Sequence, residues 1–334
     1  MTANAAALLL QHYVDNFRRL PWRSAPGEPA RDPYRVWLSE VMLQQTTVAA
    51  VSPRFERFVE RWPTVHALAA ASDEQVLSEW AGLGYYARAR NLIACAREVA
   101  GQGSFPATAE ELRELPGIGA YTAAAIAAIA FSEQAAAVDT NVARVIARLH
   151  GLREPSRAEI EHRVLAMIPE GRSGDFTQAM MDLGATICRP RAPRCGECPI
   201  RTECAAFDRG DPQSFPAAKR KAPRPHRHGV AYWTERNGEV WLVRRPAKGL
   251  LGGMAALPGS EWGDAPPEGY KPIGTVRHVF THFSLDLHVV PSSESHGNGW
   301  WQPVEGLAEA GLPTLYRRAA EVALSSSGSV RAAA

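Results

Sequence analysis

The stretch LPGIGAYTAAAIAAIAFSEQAAAVDTN, residues 115–141, decides the fold. It begins with Pro116-Gly117-Ile118-Gly119, where two glycines permit a tight turn and a close approach of the backbone to another group. An alanine-rich run from Tyr121 to about Phe131 follows, and this composition predicts a helix. Such a turn leaves the first N–H groups of the helix free to bind an anion. We therefore predict a phosphate-binding turn at Gly117 and Gly119.

The segment Val138-Asp139-Thr140-Asn141 opens the next amphipathic run, VARVIARLHGL. Asp139 or Asn141 would cap this helix, which is an ordinary structural role. The alternative is a carboxylate kept ionised at the positive end of the helix dipole, beside the phosphate-binding turn. The sequence leaves both interpretations open.

Glu40 lies on a predicted helix that starts at Asp32-Pro33, with proline in the first turn. One helical turn separates it from Val36 and from Leu43, so its neighbours along that face are apolar. Apolar surroundings disfavour the charged form of a carboxyl group and raise its pKa. The pattern predicts a general acid, and a glutamate on a solvated helix face is the alternative.

Four of the five cysteines are closely spaced, as Cys188-x6-Cys195-x2-Cys198-x5-Cys204. Four thiolates at this spacing indicate a metal centre, either tetrahedral zinc or an iron–sulfur cluster. Cys95 stands alone in a helical pattern and is expected in the core. We expect a reducing compartment and no disulfides.

The chain has 334 residues, of which 46% are hydrophobic, and this length suggests two domains. A formal charge of +2 is too small to prove a nucleic-acid partner. The only lysines are Lys219, Lys221, Lys248 and Lys271, so arginine supplies nearly all the positive charge and is suited to bidentate phosphate contacts. No apolar run reaches the roughly 20 residues that span a bilayer, and the N-terminus has no leader pattern. We expect a soluble protein.

The composition changes to Pro, Lys, Arg and His over residues 205–228, which predicts an interdomain linker. Strand-like alternation follows. Asn237-Gly238 is a hairpin signal between two apolar segments, and residues 279–289 alternate as one strand. A helix is expected near 314–325.

Two further runs, residues 37–46 (WLSEVMLQQT) and 81–91 (AGLGYYARARN), together with the glycine turn and Asp139, resemble the adenine DNA glycosylases. These belong to the helix-hairpin-helix superfamily that includes endonuclease III. The resemblance implies an all-helical catalytic domain at 1–204, with a hairpin at about 112–131 and an iron–sulfur loop at 188–204. A smaller Nudix-like α/β domain would follow at 229–330 and recognise 8-oxoguanine. The cysteine spacing is similar to that of endonuclease III, which favours a [4Fe–4S] cluster over zinc.

The resemblance also assigns roles to individual residues. It places Glu40, Asp139, Tyr121 and Asn141 at the reaction centre. It places Trp22, Arg23 and Asp182 at the adenine pocket, although Trp22 is equally well explained as a core aromatic residue. Gln44, Gln45 and Thr46 would probe the opened duplex, or else form a solvated helix face. Leu83 and Tyr85 would intercalate, with turn packing as the alternative. Phe280-Thr281-His282 would read the lesion, with Thr281 in place of the family's serine.

One position predicts the reaction type. In bifunctional relatives a catalytic lysine stands two residues after the second glycine of the hairpin, and here that residue is Tyr121. No lysine precedes Lys219, so the catalytic domain has no amine for a Schiff base. The implied enzyme is a monofunctional glycosylase, monomeric, cytoplasmic and nucleoid-associated, acting on duplex DNA with adenine opposite 8-oxoguanine or guanine.

Three other functions were considered. A thymine or uracil mismatch glycosylase would share the hairpin, Asp139 and the cysteines. A non-catalytic DNA-binding iron–sulfur protein would not need Glu40 on an apolar face. A Nudix phosphohydrolase would need a box of clustered carboxylates, and the C-terminal third lacks that box.

Overall fold

The computed structural model describes residues 2–29, 32–217, 224–246, 249–280 and 282–331. The chain divides into two compact units, Met1–Lys219 and Arg220–Ala334. The first unit is helical, and the second contains all the strands of the described residues. No helix in the described ranges has the length and apolar character that would be needed to cross a membrane.

The first unit contains twelve α-helices within the described ranges. Their bounds are α1 Thr2–Asp15, α2 Pro33–Leu43, α3 Val48–Arg61, α4 Val65–Ala70, α5 Asp73–Trp80, α6 Tyr86–Gln102, α7 Ala109–Leu112, α8 Ala120–Phe131, α9 Thr140–Leu149, α10 Arg157–Leu165, α11 Ser173–Asp182 and α12 Ala205–Asp208. A π-helical turn, Leu183–Ile187, continues directly from α11. The predicted helices at Asp32-Pro33 and at 121–131 are both present.

Most of these helices begin at a polar side chain that accepts a backbone N–H. Asp32 accepts from Tyr34 at the start of α2, and Ser72 and Gln75 form a reciprocal capping box at α5. The start of α8 is different, because Gly119 precedes it and supplies no side-chain cap. The N–H groups of that turn are therefore available to a ligand.

Two hydrophobic clusters form the core of the first unit. One surrounds α8, whose residues 122–128 are all buried, and it includes the aromatic side chains of Trp37, Phe58 and Trp80. The other joins α1 to α9, α10 and α11, so the beginning of the chain packs against the segment that precedes the cysteines. The first cluster contributes Trp22 and Val36 to the wall of the cavity described below.

The second unit contains two small sheets and a C-terminal helix. Strands β1 (His226–Trp233), β6 (Ser284–Pro291) and β5 (Gly274–Val279) form one sheet in the order β1-β6-β5, with β1 parallel to β6. Strands β2 (Glu235–Arg236), β3 (Glu239–Arg244), β4 (Ala255–Ala256) and β7 (Gly299–Pro303) form the other. Helix α13, Thr314–Arg331, packs on β5 and β6.

Two sequence predictions for this unit are corrected. The predicted strand at 279–289 is two strands, because β5 ends at Val279 and β6 begins at Ser284. Alternation persists through the turn between them, since Val279 and Phe283 keep the apolar parity of Leu285, and the pattern therefore hid the turn. Thr281 lies outside the described residues. The Asn237-Gly238 turn is present, with positive φ at both residues, but it joins β3 to the short β2.

The predicted linker at 205–228 is also partly structured. Its first residues form α12 against α9, and Phe215 is buried beneath them. The Phe215 carbonyl accepts from Arg148 Nε at 3.0 Å. Residues 218–223 lie outside the described part of the chain, and β1 begins at His226. A polar composition concealed the buried phenylalanine that anchors this segment.

Candidate active site

A cavity of about 490 Å³ lies in the first unit, where α2, α8, α9 and α11 meet. This volume is within the range of roughly 300–1,000 Å³ typical of small-molecule sites. Its walls include Glu40, Tyr121, Asp139 and Asn141, which the resemblance placed at the reaction centre. They also include the remaining residues Arg18, Leu20, Trp22, Arg23, Val36, Ser39, Leu43, Gln44, Gln45, Val48, Ile129, Gln178, Met181, Asp182 and Ala185.

Glu40 is buried on α2, with 7% of its surface exposed. Burial raises the pKa of Glu40 to about 7, and the negative charge of Asp139 adds to the rise. The Tyr121 hydroxyl, which hydrogen-bonds to Glu40, and the Arg23 guanidinium act in the opposite direction. The apolar helix face therefore produces an acid that holds its proton near neutral pH, as the sequence pattern predicts.

Asp139 caps α9, which is the structural role expected from the sequence, and it also faces the cavity. Its Oδ1 accepts from the backbone N–H of Asn141 at 2.9 Å and of Val142 at 2.7 Å. Its Oδ2 accepts from the Asn141 side-chain amide at 2.8 Å. Three donors and the positive end of a helix surround this carboxylate, and all of them favour negative charge there.

Tyr121 comes second in α8, so the glycine turn determines where its side chain points. Burial and the nearby carboxylates of Glu40 and Asp139 raise its pKa well above the usual range. The phenol consequently stays neutral and acts as a hydrogen-bond donor between the two carboxyl groups.

Trp22, Arg23 and Asp182 form one wall of the cavity. Arg23 donates to both carboxylate oxygens of Asp182, from Nη1 at 2.6 Å and Nη2 at 3.1 Å. Arg18 donates to the same carboxylate at 2.9 Å. Trp22 packs edge-on against Phe55 at 5.3 Å between ring centroids, so it is both a core residue and a lining residue.

The polar residues after α2 are held by specific contacts. Gln44 donates to the Thr122 hydroxyl at 3.2 Å, and Gln45 has a positive φ of 56°. Both line the cavity, whereas Thr46 lies beside it and accepts from Arg88 at 3.2 Å. Arg88 also donates to the carbonyls of Val41, Met42 and Leu83. This arginine ties the turn at 82–84 to the end of α2.

Leu83, for which the sequence left intercalation and turn packing open, is packed into its turn in this structure. Leu83 is only 5% exposed, because its turn folds back on Trp80, whose indole N–H donates to the Gly84 carbonyl at 3.0 Å. Tyr85, two residues later, is 60% exposed and has a left-handed φ of 48°. The exposed side chain of this turn is therefore the aromatic one.

The glycine turn has the geometry expected of a phosphate-binding turn. Gly117 has a φ of +76°, and a Cβ there would approach Asn91 Cβ at 2.6 Å, so a side chain is excluded on two grounds. Gly119 and Ala120 are exposed at the start of α8. Their environment can accommodate an anion at the helix N-terminus.

The four cysteines of the 188–204 loop, Cys188, Cys195, Cys198 and Cys204, line a common small space of about 20 Å³. All four are half-buried. Burial raises the pKa of the Cys198 thiol to about 12 and also raises the pKa of Cys195 and Cys204. Such thiols ionise when a cation binds between them.

Sequence reasoning missed two arginines on α9. Arg144 donates to the Asn141 side-chain oxygen at 2.9 Å and to the carbonyls of Gly184 and Cys188 at 2.8 Å each. Arg148 donates to Cys188 Sγ at 3.4 Å and to the Arg189 and Pro190 carbonyls. Their spacing of four residues places both on one face of α9, which was the available sequence signal. They connect Asn141 to the cysteine loop.

In the second unit, Phe280 lies in the turn between β5 and β6, within a group of aromatic rings. Its ring centroid is 5.6 Å from that of Trp262 and 4.8 Å from that of Phe283. His282 is exposed in the same turn.

Comparison with known proteins identifies both units. The model of the HhH-GPD superfamily of base excision DNA repair proteins matches residues 38–170, and a NUDIX domain model matches residues 229–322. The chain is 33% identical to the adenine DNA glycosylase of Mus musculus over 93% of this chain and 76% of that protein. It is 42% identical to the adenine DNA glycosylase of Mycobacterium tuberculosis over 67% of this chain and 72% of that protein.

The chain belongs to the adenine DNA glycosylase family. It is a DNA glycosylase of base excision repair with a helical HhH-GPD domain and a smaller Nudix-like domain. Two solved structures resemble this glycosylase. A thermostable thymine-DNA glycosylase aligns with 61% of this chain at 28% identity and a TM-score of 0.56. A trapped endonuclease III–DNA covalent intermediate aligns with 62% at 27% identity and a TM-score of 0.52.

Proposed function

We propose that this glycosylase hydrolyses the N-glycosidic bond of adenine paired with 8-oxoguanine or guanine in duplex DNA. The observation that carries the proposal is the pairing of Glu40 and Asp139 in one cavity with contrasting environments. One carboxyl group is kept protonated by burial, and the other is surrounded by hydrogen-bond donors. Two such groups supply the acid and the charge stabiliser that cleavage of a glycosidic bond requires.

Adenine within a duplex cannot reach this cavity, so the base must be turned out of the helix. Exposed Tyr85 is suited to intercalate, with Gln44, Gln45 and Thr46 beside the opened pair. Leu83 would have to leave its buried position to take part. Trp22, Arg23 and Asp182 then line the pocket for the extruded base.

Protonation of adenine weakens the bond to the sugar. Glu40 donates that proton and, once ionised, activates the attacking water. Tyr121 hydrogen-bonds to Glu40 and interacts electrostatically with Asp139. It therefore holds the two carboxyl groups in their relative positions.

The sugar develops positive charge as the base departs. Asp139 stabilises this oxocarbenium-like centre, either by charge alone or by a transient bond. The amide of Asn141 is fixed by Asp139 on one side and by Arg144 on the other, so it positions the carboxylate.

The product is an abasic site with an intact strand. No lysine precedes Lys219, and Tyr121 stands where a Schiff-base amine would be required.

Cys188, Cys195, Cys198 and Cys204 would hold a [4Fe–4S] cluster, which stabilises the loop that carries Arg189, Arg191 and Arg194. All four cysteines line one small space, and thiolates are the ligands that such a cluster takes. The arginines and the Gly117–Gly119 turn then bind the DNA backbone.

The Nudix-like unit would read the lesion strand through Phe280, Thr281 and His282. Phe280 is supported by Trp262 and Phe283, which suits a ring that stacks on or beside a base. Exposed His282 offers ring nitrogens for hydrogen bonding.

A base-release assay on matched duplexes tests the proposal. Duplexes with adenine opposite 8-oxoguanine, adenine opposite guanine and thymine opposite guanine are incubated with the protein and then divided. One half is treated with hot alkali, and the other is left neutral. We expect cleavage of the two adenine-containing strands only after alkali, and none of the thymine strand. Cleavage of the thymine strand would support a thymine mismatch glycosylase. Breakage without alkali would contradict a monofunctional mechanism.

A further inference from the structure

A group of polar side chains lies on the face of the β1-β6-β5 sheet opposite its buried residues. Leu285, Leu287 and Val289 point into the core of the second unit, so the alternate residues Ser284, Asp286 and His288 lie on the other face. The register places His226 opposite Ser284 and His228 opposite Asp286. Parallel pairing thus brings the two histidines of β1 beside the carboxylate of β6.

The donor atoms of this group converge. His226 Nε2 lies 3.2 Å from Asp286 Oδ2, and one donor atom each of His226, His228 and Asp286 lie within 4.8 Å of one another. Ligands of a single zinc ion, at about 2.0–2.1 Å from the metal, lie about 3.3 Å apart. The first pair already has this separation, and a small rotation of His228 would complete the set.

Neighbouring residues orient these ligands. Ser284 Oγ lies 2.8 Å from His226 Nδ1, which leaves Nε2 directed at Asp286. His288 Nε2 lies 3.4 Å from His228 Nδ1, and Thr275 Oγ1 lies 3.0 Å from the other nitrogen of His288. Hydrogen bonds to the second ring nitrogen are characteristic of metal-binding histidines.

We propose that His226, His228 and Asp286 form a binding site for a divalent transition-metal ion of the zinc type, with His288 as an adjoining imidazole. Two imidazoles and a carboxylate suit zinc, cobalt or nickel, whereas magnesium and calcium prefer oxygen ligands alone. The ion would join β1 to β6 at the first residues of the second unit. It is separate from the four-cysteine loop, which belongs to the first unit.

Arg277 on β5 competes with the metal. Its Nε and Nη2 lie 2.8 and 3.0 Å from the two oxygens of Asp286, and its side chain is 70% exposed. A carboxylate has about four lone-pair positions, so Asp286 accepts both partners, but the positive charge opposes the cation. Removal of Arg277 is therefore expected to strengthen metal binding, an effect that a purely structural ion pair would not produce.

Calorimetric titration with Zn²⁺ tests the site. The full chain is first loaded with iron, so that the four thiols of the cysteine loop do not bind the added zinc. We expect one zinc ion per chain, and visible d–d absorption when Co²⁺ replaces it. His228→Gln and Asp286→Asn should each weaken binding by roughly 10–100-fold, and Arg277→Gln should tighten it severalfold. His66→Gln, a matched change at an exposed histidine of the first unit, should leave it unchanged.

Three results would overturn the proposal: no zinc bound by the parent chain, equal affinity in the His228→Gln and parent proteins, or weaker binding in Arg277→Gln. Circular dichroism of each variant shows whether it has the same secondary structure as the parent chain. As a measurement that needs no ligand variant, Zn²⁺ should raise the unfolding temperature of the parent chain relative to chelator-treated protein.

Discussion

Glu40 has an unusual acidity because of two contributions that differ in origin. Its position on α2, with Val36 and Leu43 on the same face, removes water from the carboxyl group. The charge of Asp139, more than 90 residues away in sequence, then opposes its ionisation. The hydrogen bond from Tyr121 reduces the rise in the pKa of Glu40 without reversing it. The result is an acid that titrates near neutrality.

Replacing Glu40 by glutamine preserves the shape of the side chain and removes its transferable proton. We expect single-turnover release of adenine to fall by about 10²–10⁴-fold, the usual contribution of general acid–base catalysis. Affinity for the duplex should be retained, and this is checked by a binding titration with uncleaved DNA. Glu56→Gln, at an exposed glutamate of α3, provides the control. A Glu40→Gln rate near that of the control would show that another group supplies the proton.

The raised pKa also affects stability in a direction that can be measured. Glu40 has a pKa of about 7 when folded, against about 4.3 when unfolded. Between these values the native chain holds the additional proton, so this contribution to stability is complete below pH 4 and is lost as the pH rises through about 7. Glu40→Gln should therefore be more stable than the parent at pH 8, by about 3–4 kcal/mol, and similar at pH 4. Urea unfolding at both pH values tests this, and equal stability at pH 8 contradicts it.

The same pKa predicts the pH dependence of the reaction. Base release under single-turnover conditions should decline as the pH rises through about 7, since the protonated acid disappears. Buffers of matched ionic strength separate this decline from weaker DNA binding.

Prediction from sequence succeeded at the residue scale where local spacing determined the environment. The apolar neighbours of Glu40 and the cap position of Asp139 were both readable from a few adjacent residues. The burial of Leu83 was not readable from the sequence, because the positive φ angles of Gly82 and Gly84 decide which side chain faces inward. Arg144 was missed, because two of its partners are carbonyls 40 and 44 residues away in sequence.

At the scale of elements, the position of α9 depends on how closely the π-helical turn, Leu183–Ile187, approaches it. Gly184 has no side chain, and a Cβ there would lie 2.7 Å from Asn141 Cβ and 3.2 Å from its backbone carbon. This contact fixes the distance between α9 and the π-helical turn, and therefore the positions of Asp139 and Asn141. A glycine is required at this point for space alone, since its φ is not positive.

Gly184→Ala should displace Asn141 and weaken catalysis together with stability. We expect a loss of about 1–3 kcal/mol in unfolding free energy, as is typical of overpacking, and a clear fall in base release. Gly101→Ala is the matched control, because Gly101 is on α6 and a Cβ there meets nothing within 4 Å. That change should be neutral or stabilising by up to about 1 kcal/mol. Normal activity and stability in Gly184→Ala would mean that α9 adjusts without cost.

At the scale of the whole molecule, the two units have separate hydrophobic clusters. The complete set of proposed catalytic residues, the cavity and the cysteines belong to the first unit. The proposed lesion-reading turn belongs to the second. The change in composition after residue 204 revealed this division in the sequence. The sequence did not show where the boundary lies, because burial of Phe215 extends the helical unit beyond the apparent start of the linker.

A chain ending within residues 218–223 should therefore fold and retain base release. We expect it to lose most of its preference for adenine opposite 8-oxoguanine over adenine opposite guanine. The comparison is the ratio of single-turnover rates for the two duplexes in the truncated and full-length proteins. An unchanged ratio would assign lesion reading to the helical unit, and an unfolded product would show that the units depend on each other.

The π-helical turn at 183–187 has a consequence for the proposed cluster. This wide turn is the entire covalent spacer between Asp182, in the pocket wall, and Cys188, the first of the four closely spaced cysteines. If those cysteines hold the cluster, its removal would free the cysteine loop, and the disturbance would pass through one turn of backbone to the carboxylate that Arg18 and Arg23 hold. Loss of iron would then weaken phosphate binding by the loop and release of the base together.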